Sequence, residues 1–280
     1  MKKQFFIYLF SACLSAAFAG NDNYLVGARS AGIAHASVTL SDIWAIHHNQ
    51  AGLAFLENPS ASVYYENRFM VKEMGLSSVA FAMPTKTGTF GIVYHNFGYS
   101  RYAETKVGLA YGRKLSEKFS VGIQLNYNTL RLGDIYGKNQ ALTGEIGVRA
   151  KLTDELTFGV HVYNISRAKL ADYNNEFIPT IMRLGADYKI SKKVFIAAEA
   201  QKDIDHKIIF KSGIEYHVIE AIFLRAGIST NPVLNTFGFG LNLKNIQLDV
   251  AASWHQVLGF SPQVSLTYNF NKQSKPIPEK

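Results

Sequence analysis

The sequence predicts an all-β chain: a 14-stranded antiparallel transmembrane β-barrel with an N-terminal segment folded as a plug or hatch. Three observations carry that expectation. Period-two alternation of apolar and polar residues runs from about 60 to 270. The connections alternate between tight turns and longer loops, with both termini on the tight-turn side. A stretch with no strand alternation, 20–59, precedes the first strand.

The alternation is strict where it can be tested. KFSVGIQLNYN puts Val121, Ile123, Leu125 and Tyr127 on one face and Gly122, Gln124, Asn126 and Asn128 on the other. NIQLDVAASW sets Ile246, Leu248, Val250, Ala252 and Trp254 against Gln247, Asp249, Ala251 and Ser253. Fourteen such strands are expected, from 60–68 to 261–270, among them 155–167, 178–190 and 205–217. Strands of about ten residues, tilted, span an outer-membrane apolar band. A secreted sandwich also alternates, but its edge strands would be broken or charged, and none is. The last strand ends in Tyr268-Asn269-Phe270, and the polar tail 271–280 is expected to be disordered on the periplasmic side.

Residues 1–19 read as a secretory signal: a basic MKK, an apolar run, and Ala17-Phe18-Ala19 as the cleavage site. A lipoprotein reading at Cys13 would leave LSAAFA as an odd apolar start, so cleavage is placed after Ala19. That removes the single cysteine, and with it any disulfide or thiolate chemistry. The chain carries a net charge of +8; loss of Lys2 and Lys3 lowers it by two, to +6. The charge is spread without blocks, so nucleic acid is not an expected partner. After Ala19 no apolar run is long enough for a membrane helix.

With the apolar face toward lipid, the other face looks into the lumen. It carries Glu66 and Arg68, Glu145 and Arg149, Arg183 and Asp187, Lys211 and Glu215, Arg225 and Asp249. Three of these pairs stand four residues apart on one strand, about 13 Å, too far to bond within it. Bonds to neighbouring strands or to a plug follow, and a bracing charge lattice is favoured over a substrate path. Inward Gly108, Ala110, Gly112, Gly185, Gly213, Gly227, Gly238 and Gly240 leave room for water or for something that fills the lumen.

Residues 20–59 begin on the periplasmic side and are too apolar for a free linker, so they are expected inside the barrel, which is wide enough for them. SDIWAIHHN fits a helical turn capped by Ser41 or Asp42. His47 and His48 read as polar residues on the surface of this segment; adjacent side chains diverge, and no metal site is expected. His161, Asn164 and Ser166 superficially resemble a hydrolase set. Their odd spacing puts Asn164 and Ser166 opposite His161, so no catalytic residues are expected. No cofactor is implied.

GARSAGIAHASVTLSDIWAIHHNQAGLA resembles the N-terminal segment of FadL-like outer-membrane barrels, a group that includes the PorV/PorQ-type proteins of Bacteroidetes. The shared features fall on Gly27-Ala28-Arg29, Asp42, Trp44 and Asn49-Gln50-Ala51-Gly52-Leu53, with Gln50 where the group keeps proline. The resemblance implies a bacterial outer-membrane location and a hatch held by Asn49 and its neighbours. Its partners would be outer-membrane lipid, and either a small hydrophobic compound or proteins of type IX secretion. In the transporters of that group a ligand can leave sideways through a kinked strand. The outer loops read as short, none longer than AKLADYNNEF.

Overall fold

A computed structural model describes residues 23–133, 137–171 and 176–270. The expected signal segment, 1–19, and tail, 271–280, lie outside the described residues. Fourteen strands close into one antiparallel barrel. They are β1 (Ser60–Asn67), β2 (Gly75–Pro84), β3 (Thr89–Tyr99), β4 (Tyr102–Lys114), β5 (Phe119–Leu132), β6 (Lys138–Lys151) and β7 (Leu156–Tyr163). After a small ribbon of β8 (Lys169–Ala171) and β9 (Glu176–Phe177) come β10 (Ile181–Lys189), β11 (Val194–Asp203), β12 (Ile209–Ile219) and β13 (Ile222–Ser229). β14 (Leu234–Leu243), β15 (Ile246–His255) and β16 (Gly259–Asn269) complete the wall, and β16 pairs with β1 from Ser60↔Asn269 to Glu66↔Gln263.

The wall is inside-out relative to a water-soluble protein. Ile123 and Leu125 are 57% and 58% exposed, whereas Gln124 and Asn126 are 4% and 0% exposed. A soluble sandwich would bury the first pair; a membrane barrel hands them to lipid and turns the polar face inward.

Two strand limits differ from expectation by four residues. β7 stops at Tyr163 rather than running to 167, because Asn164 takes a left-handed backbone, φ 51°, and leaves the ladder. Its side chain turns inward and is buried, correcting the reading that it points to lipid: Nδ2 donates to Ile178 O at 2.7 Å, and Oδ1 accepts from Ala168 N at 3.1 Å. The connection 164–180 is therefore longer than any loop expected, and Ile178 packs with Leu130, Tyr163 and Ile181. β12 begins at Ile209 rather than 205, since Asp203 closes a turn by accepting from Asp205 N at 3.1 Å.

The N-terminal segment lies against the inward face of the wall. Its first described residues are at the long-loop end, not the tight-turn end where the sequence placed them. The Tyr24 ring sits 4.3 Å from that of Phe97 and under the Arg68 guanidinium, also 4.3 Å away. From there helix α1 (Ala28–Gly32) crosses β13 to β16. Residues 33–39 follow β12, β11 and β7, where Val38 O approaches Gly159. Helix α2 (Ala45–His48) places Ile46 over Gly91, and a 3₁₀ turn, Gln50–Phe55, descends along β4 to β6 toward Ser60.

Many of the inward glycines are where this segment touches the wall, whereas Gly108 and Gly240 face side chains of the wall itself. A Cβ on Gly112 would stand 2.5 Å from Gln50 O, one on Gly122 2.3 Å from Ala51 N, and one on Gly147 2.0 Å from Asn49 Oδ1. Gly185, Gly213, Gly227 and Gly238 face Val38, Ile33, Ala34 and Gly32 on the opposite side. The space left by these glycines is filled by polypeptide.

Candidate functional site

At the long-loop end the lumen opens into a cavity of about 770 Å³. Tyr24, Leu25, Ala34 and His35 of the N-terminal segment line it together with apolar residues such as Phe69, Ile181, Ile209 and Leu234 and charged ones such as Glu66, Arg68, Asp203 and Lys207. Ala34 and His35 reach this position through left-handed backbones, φ 55° and 57°, in a turn that no sequence signal marks. Tyr24 and His35 were missed for the same reason: neither belongs to a recognisable pattern.

Below the cavity, each residue of the Asp42–Leu53 motif has a structural partner. Asp42, not Ser41, closes the turn before α2: its Oδ1 accepts from Trp44 N at 2.9 Å and its carbonyl from Ala45 N at 3.0 Å. Trp44 is buried edge-on to Tyr64 and covers Gly27, whose φ of 96° and close approach admit no side chain. Asn49 Nδ2 donates to Val38 O at 2.7 Å and to Val148 O in the wall at 3.0 Å, while Oδ1 accepts from Ala51 N at 3.1 Å. Ala51 O accepts from Ser120 Oγ at 2.9 Å. Gly52 passes under Leu40 O, where a Cβ would stand 2.2 Å away, and Leu53 is fully buried. Gln50 Nε2 donates to Glu145 Oε2 at 2.7 Å, an oxygen it shares with His161 Nε2 at 2.9 Å. Proline at this position would have no donor for that carboxylate.

The inward charges bond to neighbouring strands and to the N-terminal segment. Asp42, Arg29, Glu215, Arg225 and Asp249 form one chain, with contacts of 3.1, 2.9, 2.6 and 2.7 Å. Lys211 meets Glu199 at 2.9 Å, and the same carboxylate accepts from Ser37 N and Val38 N. Arg149 Nε donates to Thr39 O at 2.8 Å. Glu66 pairs with Arg68 at 3.2 Å on its own chain segment. Arg183, 2% exposed, uses only Nε, toward Gln201; its two terminal nitrogens and Asp187 Oδ1 have no hydrogen-bond partner among the described residues. Arg29 of the N-terminal motif and the inward-facing Glu199 join these networks with partners that the pattern on single strands does not give; pairing across strands is set by register.

His47 and His48 are each 1% exposed, which corrects their reading as surface residues. They are enclosed because α2 sits between wall and segment. His48 Nε2 bonds Val26 O at 2.8 Å, and His47 lies 5.4 Å from the His95 ring. Burial, with nearby cations, holds both imidazoles well below the usual histidine range. The unfolded chain takes up protons near pH 6.5 while the folded one does not, so stability is present above that pH and is lost as pH falls below it. Melting at pH 7.5 and pH 5 is expected to show a smaller acid loss in His47→Leu/His48→Gln than in the wild type; an equal loss would place the acid sensitivity elsewhere.

His161 is engaged with Glu145 and Asn164 with the 164–180 loop, so they do not converge on one point. Among the described residues no group of three His, Cys, Asp or Glu side chains is placed to hold a metal ion. β3 is paired along its whole length on both sides, from Leu76↔Phe97 to Pro84↔Thr89 and from Thr89↔Gly112 to Tyr99↔Tyr102. β6 and β7, by contrast, pair only from Ile146↔Val162 to Lys151↔Thr157, so the long-loop half of β6 has no ladder to β7.

Solved structures match this architecture at low sequence identity. The CymD monoaromatic hydrocarbon channel superposes with a TM-score of 0.69 at 11% identity, covering 90% of this chain and 99% of that one. The Ralstonia pickettii toluene transporter TbuX gives 0.66 at 13%, covering 87% and 98%. A Pseudomonas aeruginosa FadL homologue gives 0.62 at 14%, covering 90% and 100%. The chain has the fold of the FadL-type barrels. No family model and no curated protein matches its sequence. The FadL-type fold accounts for the strand number and closure.

Proposed function

We propose that this chain is a bacterial outer-membrane barrel for passive movement of small hydrophobic compounds, with residues 20–59 as its hatch and 60–270 as the wall. The long-loop end then faces outside. The observation that carries the reading is the cavity at that end, whose lining includes Tyr24, Leu25, Ala34 and His35: a compound entering it touches the hatch directly. Support also comes from the neighbours, whose names record toluene transport and monoaromatic hydrocarbon channels.

Uptake of radiolabelled toluene by cells producing the protein tests the reading. It is expected to exceed that of cells lacking it, and to fall when Tyr24→Trp narrows the cavity floor. Equal uptake with and without the protein would overturn it. A PorV/PorQ-like role in type IX secretion would instead use the outer loops, of which 164–180 is the longest; loss of secretion on shortening that loop, with toluene uptake unchanged, would favour it.

A further inference from the structure

The outside of β4, β5 and β6 changes character in rows as it rises toward the long-loop end. Val107, Tyr127 and Leu142 are direct cross-strand neighbours and form the last apolar row. Thr105, Thr129 and Gln140 form the next, with the Tyr127 hydroxyl donating to Gln140 Oε1. Above them stand Ala103, Arg131 and Lys138. Arg131 and Lys138 are therefore like charges directly opposite one another, an arrangement that destabilises a sheet unless something neutralises it. Arg101 adjoins them, its carbonyl accepting from Gly133 N at 2.6 Å. All three side chains are exposed, and none makes an ion pair among the described residues.

Depth identifies what could neutralise them. Arg131 lies four residues beyond Tyr127, about 13 Å along the strand and roughly 10 Å in height at the usual barrel tilt. Tyrosines mark the boundary of the apolar band, so the cations stand at the level of lipid headgroups. Two cations on one small patch, one of them a guanidinium fork, suit a phosphate ester.

We propose that Arg131, Lys138 and Arg101 bind a phosphate group of a phosphorylated glycolipid in the leaflet at the long-loop end. This site rests on the chain being an outer-membrane barrel and is independent of what the lumen transports. The protein purified in neutral detergent is titrated with bisphosphorylated lipid A, with the same lipid dephosphorylated, and with inorganic phosphate, and adducts are counted by native mass spectrometry. The phosphorylated lipid is expected to bind as a one-to-one adduct. Arg131→Gln/Lys138→Gln is expected to weaken it by about tenfold or more, at roughly a headgroup-level contribution per cation. Lys118→Gln/Lys193→Gln, at the tight-turn end, should leave it unchanged. Heat-dependent migration on gels confirms that each variant is folded. Equal binding of the dephosphorylated lipid, equal binding by the Arg131/Lys138 variant, an equal loss in the tight-turn variant, or inorganic phosphate binding as tightly as the lipid would each overturn the proposal.

Discussion

Gly122→Val is expected to unseat the Asn49–Leu53 turn and raise the ion conductance of the barrel in planar bilayers. A Cβ at this position would stand 2.3 Å from both Ala51 N and Gln50 C. These are backbone atoms, so no rotamer change relieves the contact. Overpacking of this kind costs about 1–3 kcal/mol even where side chains can adjust. The ladder of β5 with β4 and β6 is made by backbone groups and tolerates valine, which favours strands. The wall therefore survives and the segment yields. Gly144→Ala is the control: it lies on β6, where an added Cβ meets nothing within 4 Å. Wild-type melting and wild-type current in Gly122→Val would mean that the segment does not seat against β5 in the membrane.

The barrel was legible in the sequence because a period-two pattern is local: each strand such as 118–130 declares its own two faces. The limits failed where a single backbone conformation decides. Nothing in HVYNIS announces that Asn164 turns left-handed and inward. The N-terminal segment was legible as an interior piece from its small residues, yet its own orientation was not. It is enclosed on every side, so burial there follows no period, and His47 and His48 were read as exposed for want of an apolar face to assign. The inward glycines could be counted but not matched to Gln50, Ala51 and Asn49, since those contacts join residues far apart in sequence. The charge lattice was half legible. Distance along a strand excluded Lys211 with Glu215 as a pair; only the register of β11, β12 and β13 reveals Glu199 and Arg225 as their partners.

Glu215→Ala is expected to be among the most destabilising single changes in the chain, by about 3–5 kcal/mol, because it breaks a buried ion cluster from its centre. Its carboxylate, 2% exposed, accepts from Arg29 Nε at 2.9 Å, Arg29 Nη2 at 3.0 Å, Arg225 Nε at 2.6 Å and His217 Nε2 at 3.1 Å. Removing it leaves two guanidiniums with, among the described residues, only Asp42 and Asp249 as ion-pair partners. Arg29 belongs to the N-terminal segment and Arg225 to the wall, so the same change severs the segment from β12. Guanidinium unfolding in detergent measures the loss, and protease cleavage within 23–59 reports release of the segment. A double-mutant cycle with Arg29→Met separates the two effects. If the Arg29–Glu215 contact is what holds α1 down, Glu215→Ala costs clearly less in the Arg29→Met background than alone. If the two changes simply add, the seating of the segment comes from Asn49, Gln50 and the glycine row beneath them, and the ion chain braces only the wall.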